Sequence, residues 1–259
     1  MSVLITVLTK PGGPVTDLTA NDFTVHAGKQ QLKVTAAERA TQPLSIELLV
    51  DNSQPQGMGG AMGDLRTALD HFIQVIRGGD PQAQIGMYNV AGQAIPVVKL
   101  DAPAADLDQA ISHLFLLNEP TGALLEAIED ASRDLAERPP PRRAIVSVDF
   151  ASAEATPDTA LPGVGKAVGK CGATVWAISV ANVTPESRKR EAVLDTITHR
   201  SGGLRISMVR SSGLPDQLKA IANSLLSQYM IQFPRPSGQL EELKIDTPKG
   251  KALATMFAQ

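Results

Sequence analysis

The stretch "LSIELLVDNSQPQGMGG", Leu44 to Gly60, carries an apolar run straight into Asp51, with Ser53 two residues on. A second apolar run, "AIVSV", ends at Asp149, and Thr121, in the loop "NEPTG", opens a helix-like segment. In an open parallel sheet, ligands bind at the carboxyl ends of the strands, where the strand order switches. Three oxygen-bearing side chains, Asp51, Thr121 and Asp149, can therefore meet at one edge. Oxygen-only ligands suit a hard cation such as Mg²⁺, which wants near-octahedral geometry and usually keeps waters. The same residue types also cap turns and helix N-termini through hydrogen bonds, and the residues alone leave both readings open.

Other chemistries fit less well. Gly57, Gly59 and Gly63 spell a loose G-x-G-x-x-x-G after a strand, as dinucleotide folds do. Asp51 would then face a pyrophosphate, and the next strand ends at Asn89 and Val90 without the acidic residue that holds a ribose. A serine hydrolase would need Ser53 on a G-x-S-x-G elbow, but its context is D-N-S-Q-P. His26, His71, His113 and His199 are scattered without triad or metal-ligand spacing. "ERPPPRR" reads as a stiff connector entering a strand, and "ESRKREAV" as a solvated helix face.

The elements that must position these residues alternate. Ser45 to Val50, Gln84 to Val90, Ala144 to Val148, Ala173 to Val180 and Leu204 to Val209 are short apolar runs rich in β-branched residues, as buried parallel strands should be. Between them lie helical periodicities such as Leu65, Leu69, Phe72 and Ile76, then Leu124, Ile128 and Leu135, then Leu214, Leu218, Ile221 and Leu225. Gly78 and Gly79 read as the stop of the first helix, and Gly202 and Gly203 follow another. The alternation predicts an α/β, doubly wound, mostly parallel sheet of Rossmann-like type. "MYNVAGQAIPVVKL" departs from it. Its two strands lie too close for a helical crossover, so Ile95–Leu100 must return antiparallel, and Pro96 confines it to the edge.

The chain ends differ from the middle. Residues 1–39 and 229–259 are strand-like around Pro and Gly, and neither is big enough for a core of its own, so the two are expected to pair into a small β-domain beside a domain of residues 40–228. At a net charge of -3, the 259-residue chain lacks the Lys/Arg excess of nucleic-acid binders. One cysteine, Cys171, permits neither an intrachain disulfide nor a cysteine metal cage. No run of ~18 apolar residues marks a membrane span. "MSVLITVLTK" lacks a basic region and a cleavage site, and reads as a strand.

With these motifs in place, the chain resembles the von Willebrand factor type A (vWA) domains, specifically those of the acidobacterial VWFA-related type. That family's metal-ion-dependent adhesion site (MIDAS) is D-x-S-x-S after the first strand, a threonine in a later loop, and an aspartate, usually Asp-Gly, after the fourth strand. These fall here on Asp51, Ser53, position 55, Thr121 and Asp149. The leading "TVLTKPGGPVTDLTANDFTVHAGKQQLKV" and the closing "ITHRSGG" and "SLLSQYMIQF" are also similar, so the resemblance covers nearly the whole chain. It implies Mg²⁺ or Mn²⁺, with Ser53 and Thr121 as ligands, Asp51 orienting the ion or its waters, and Asp149 balancing charge. It also implies an exported, non-enzymatic adhesion-type module whose protein partner docks around Gln54, Pro55 and Phe150. Pro55 stands where a hydroxyl ligand is expected and Phe150 where a glycine is, so the expected metal site is degenerate, weak or absent. A metal-free structural or assembly scaffold is the alternative, and a nucleotide-binding enzyme ranks third.

Overall fold

Unbroken runs of Ile, Val and Leu have no polar face to turn to water, so they become strands covered on both sides. The structure is a computed structural model that describes residues 1–10, 12–53, 60–117, 119–139, 142–150, 152–180, 185, 187–235 and 243–254. Along the chain run β1 (Ser2–Leu8), β2 (Thr24–Ala27), β3 (Gln30–Leu32), β4 (Ala36–Arg39), β5 (Ser45–Val50), α1 (Ala61–Gly79), β6 (Gln84–Ala91), β7 (Gln93–Val98) and α2 (Ala104–Ser112). Then come β8 (Thr121–Gly122), α3 (Leu124–Ala136), β9 (Arg143–Phe150), β10 (Ala153–Glu154), α4 (Leu161–Cys171), β11 (Thr174–Val180) and α5 (Arg188–Ser201). β12 (Arg205–Met208), α6 (Leu214–Leu226), β13 (Tyr229–Gln232), β14 (Leu243–Asp246) and β15 (Lys251–Ala254) complete the set.

Six strands form one sheet in the order β12-β11-β9-β5-β6-β7. The pairs from β12 to β6 are parallel, and β7 alone runs antiparallel, on the β6 edge. Pro96 sits in β7 opposite Tyr88, where its missing N–H costs no inner ladder bond. The chain leaves β5 toward β6 and β7, then returns to place β9 on the other side of β5. The order therefore switches between β5 and β9, whose last residues are Val50 and Phe150.

Helices cover both faces. Leu65 and Phe72 of α1, Leu107 and Ile111 of α2, and Leu218 and Leu225 of α6 pack with Ile46, Leu48, Val146 and Trp176. On the other face Leu124 and Ile128 of α3, Val164 and Val168 of α4, and Leu194 and Ile197 of α5 pack with Leu49, Tyr88, Ile145 and Val175. α1 ends at Gly79, as the Gly78–Gly79 pair suggested, with Asp80 as its C-cap. A Cβ on Gly79 would lie 2.5 Å from Leu226 Cδ1, so the glycine that closes the helix also permits close α1–α6 packing.

The residues after the proline run also find a structural role. Arg142 donates from Nη1 to Gln42 O at 2.6 Å and from Nη2 to Leu225 O at 2.9 Å. Arg143 donates to Cys171 O at 2.7 Å and to Ala136 O at 3.2 Å. Two buried guanidiniums thus satisfy carbonyls in the last turns of α6, α4 and α3, where the helix dipole favours positive charge.

The chain ends meet in two further sheets. β1 pairs antiparallel with both β13 and β15, and β13 with β4, giving the order β15-β1-β13-β4. β14 pairs with β2, and β2 with β3. Val3, Ile5, Val25, Tyr229, Ile231 and Ile245 form a core separate from the two above.

One core position breaks the apolar pattern. Glu47 lies in the central strand β5, is 1% exposed, and leaves Oε2 without a hydrogen-bond partner. Gly86 beside it makes the room, since a Cβ there would lie 2.4 Å from Glu47 Oε2. Burial pushes the Glu47 carboxyl from 4.5 to about 8, with the Asp134 charge adding and Arg138 opposing. A pKa raised on folding gives stability that is intact below the unfolded value of 4.5 and is lost as pH rises through about 8. At about 1.4 kcal/mol per unit, that loss reaches several kcal/mol. Glu47→Gln should accordingly flatten the decline in unfolding midpoint between pH 5 and 9, roughly the window those values define. Thermal unfolding across pH checks this, and parallel profiles for the two proteins would contradict it.

Candidate functional site

Asp51 follows directly on β5 and donates its backbone N–H to Val148 O at 2.9 Å, so the carboxylate is fixed at the β5–β9 switch. It is 1% exposed and carries four donors. Oδ1 accepts from Ser53 N at 2.9 Å and Ser53 Oγ at 2.5 Å, an Asx turn closed on its own loop. Oδ2 accepts from Phe150 N and Ser152 Oγ, both at 3.0 Å. Burial raises its pKa, against the pull of the Ser53, Phe150 and Ser152 hydrogen bonds.

Asp149 is fully buried inside β9. Oδ2 accepts from Ser179 Oγ on β11 at 2.9 Å. Oδ1 lies 3.1 Å from Arg190 Nη2, an ion-pair contact that is not aligned as a hydrogen bond. Burial raises the Asp149 pKa, Arg190 lowers it, and the Asp51 charge raises it further.

Arg190 stands in the first turn of α5 with 0% exposure. Nη1 donates to Ser152 O at 2.9 Å and lies 3.4 Å from Ser152 Oγ, while Nη2 reaches Glu191 Oε1 at 3.4 Å. Arg205 pairs with Glu191, donates to Asp195 at 2.8 Å, and reaches Ser179 Oγ through Nε at 3.4 Å. One connected network therefore joins the ends of β5, β9 and β11 to α5 and β12.

Thr121 and Gly122 form β8, pairing in parallel with Ala153 and Glu154 of β10. The strand crosses the carboxylate closely: a Cβ on Gly122 would lie 2.9 Å from Ser152 Oγ and 3.6 Å from Asp51 Oδ2. Thr121 is half-buried and does not cap α3, which begins at Leu124. The α3 N-terminus is served instead by Glu154 and Thr156, accepting from Leu125 N at 3.4 Å and Glu126 N at 3.0 Å.

Several expectations shift accordingly. Asp51, Ser53 and Asp149 share the site, with Thr121 beside it on β8. Gln54, Pro55, Gly57 and Gly59 lie outside the described residues. Phe150, expected to meet a partner, is 1% exposed with its ring in the core, so it gives the site only its N–H. The "ESRKREAV" helix face, expected in solvent, places Arg190 and Glu191 inside. Ser152, Ser179, Arg190 and Arg205 were not anticipated. A signal for Arg190 does exist, since Arg190, Leu194, Ile197 and Ser201 follow the stripe of a buried helix face.

These residues do not fit a hard divalent cation. Every Asp51 oxygen is already taken by donors, Pro55 has no hydroxyl, and the Arg190 guanidinium, which cannot be deprotonated, lies against Asp149. Among the described residues, no group of three or more His, Cys, Asp or Glu side chains could hold a metal.

No protein-family model matches the chain, and no curated protein does. Solved structures do. A von Willebrand factor type A protein from Catenulispora acidiphila matches at TM-score 0.55 and 12% identity, covering 87% of this chain and 50% of that one. The SpRpn10 VWA domain matches at TM-score 0.53 and 15% identity, over 68% of this chain and 95% of that one. Proximal thread matrix protein 1 from the mussel byssus, with zinc in its MIDAS motif, matches at TM-score 0.56 and 13% identity, over 76% and 49%. The chain spans about half the length of the Catenulispora and mussel chains. Its α/β part has the vWA fold, and the matched structures do not single out the acidobacterial type.

The four donors on Asp51 generate a stability prediction. Removing the carboxylate strands buried N–H and O–H groups at about 1–3 kcal/mol each where they cannot re-pair. Asp51→Ala should lower the unfolding free energy by about 3 kcal/mol or more, equally in EDTA and in excess Mg²⁺. Urea unfolding in the two buffers tests it; a loss confined to the Mg²⁺ buffer would instead assign Asp51 to an ion.

Proposed function

We propose that this chain is a non-enzymatic protein-interaction module of vWA type, whose partner docks on the carboxyl edge of the sheet with no divalent metal required. The observation that carries the reading is the placement of two exposed apolar side chains on that edge. Phe115 is 62% exposed and Val209, just past β12, is 69% exposed. Both are anchored, not loose. Asn52 donates from Nδ2 to Phe115 O at 3.3 Å and accepts Leu117 N at 2.8 Å, tying that segment to the residue beside Asp51. Ser211 Oγ donates to Asp64 at 2.6 Å, tying the Val209 segment to the first turn of α1. Apolar anchors held in fixed positions lose little entropy on binding and are the groups that dominate interface energies.

The proposed docking face adds Thr121 and replaces Phe150 by Phe115, while Gln54 and Pro55, expected there from the sequence, lie outside the described residues. The two chain ends, residues 1–39 and 229–259, act in this reading as a β-unit beside the interaction domain of residues 40–228, supported by the β1–β13 and β1–β15 pairings. An extracytoplasmic setting remains part of the proposal, with a byssus matrix protein among the matched structures as its support. No helix among the described residues is long and apolar enough to cross a membrane. The non-enzymatic part of the reading is supported by the inward closure of the site: its carboxylates are held by the protein's own donors, and among the described residues of the site no nucleophile–base pair faces a cleft.

A photo-reactive phenylalanine analogue at position 115 or 209, with position 170 on α4 as control, tests the reading in extract of the natural host. Positions 115 and 209 should give an adduct with the same protein, unchanged by EDTA, and position 170 none. Adducts only at 170, or edge adducts that vanish in EDTA, would overturn it.

A further inference from the structure

A buried arginine needs a reason, because an unpaired guanidinium out of water is among the costliest groups a fold can carry. Arg190 has no exposed surface, and its position is set by helix geometry rather than by chance collapse. It sits one turn before Leu194 on the face of α5 that packs on the sheet, so the helix delivers the guanidinium to the open ends of β9 and β11. There it meets Asp149 Oδ1 at 3.1 Å and the Ser152 carbonyl at 2.9 Å. Ser152 Oγ, 3.4 Å from Arg190 Nη1, donates at 3.0 Å to Asp51. The guanidinium therefore lies against one of the two switch-point carboxylates and one residue from the other.

We infer that Arg190 is the resident cation of this site, a side chain covalently part of the fold that occupies the charge-balancing role a divalent ion would otherwise fill between Asp51 and Asp149. Asp149 and Glu191 lie against Arg190 and Arg205, with the exposed Asp195 also on Arg205, whereas Asp51 is held by four hydrogen-bond donors instead of an ion. A divalent ion entering here would meet a fixed positive charge that cannot leave or lose its proton. The consequence is that the edge is held in one state at all times, independent of metal supply. The inference stands whichever partner docks there.

The test uses the whole chain with Mn²⁺ as probe. In thermal unfolding, millimolar Mn²⁺ should leave the wild-type midpoint unchanged. Arg190→Met should unfold at lower temperature, should gain a midpoint rise in Mn²⁺, and should lose that rise when Asp51→Asn is added. Restoring charge balance by a second change, Arg190→Met with Asp149→Asn, should recover part of the lost stability. Apparent Mn²⁺ affinity should be at least about tenfold tighter in Arg190→Met than in wild type, the difference expected from removing one nearby like charge. If Arg190→Met does not fold while the double variant does, the charge-balance role is supported. If neither folds, isothermal titration of wild type with Mn²⁺ decides: absence of heat supports the inference. Mn²⁺ binding by wild type that Asp51→Asn abolishes would overturn it, as would a double variant no more stable than Arg190→Met.

Discussion

Two carboxylates, Asp51 and Asp149, end adjacent strands at the one place where the order of the sheet reverses, and both are out of water. Their mutual repulsion and desolvation set the terms for everything built around them. An isolated buried carboxylate would shed its charge or pull in a partner. This fold supplies partners from its own chain: backbone and hydroxyl donors for Asp51, and a hydroxyl with a guanidinium for Asp149. The loop after β5, the short strand β8, the start of α5 and the ends of β9 and β11 are placed by that requirement.

The same solution recurs elsewhere in the molecule. Arg142 and Arg143 are buried on helix-end carbonyls, and Arg205 is tied to Glu191 and Asp195. Buried guanidiniums act here as fixed cations, with fork geometry that matches several acceptors at once. Glu47 is the exception. It lies in the central strand without an ion pair among the described residues, and burial favours its protonated form, with the Arg138 charge opposing.

Much of the architecture was legible because its signals are local. Continuous apolar runs marked β5, β9 and β11, the short Ala91-Gly92-Gln93 connection marked the antiparallel edge, and acidic residues at strand ends marked the switch point. The misreadings share a cause, which is that the deciding contact lies far away in sequence. Phe150 is inward because it is still in β9, paired with Val180. α3 is capped by Glu154 rather than by Thr121, across a strand pair no periodicity reveals. Arg190 looked like surface charge because composition in "ESRKREAV" hides the spacing that joins it to Leu194 and Ile197.

The vWA fold thus carries here two buried switch-point carboxylates whose partners come from the chain itself, donors on Asp51 and Arg190 against Asp149. The most direct measurement is a crystal structure of the protein grown or soaked in Mn²⁺, with an anomalous difference map calculated at the manganese edge. The account predicts the Arg190 guanidinium against Asp149 and no anomalous peak between Asp51, Ser53, Thr121 and Asp149. A manganese peak held by Ser53 or Thr121, with Arg190 swung away, would contradict it.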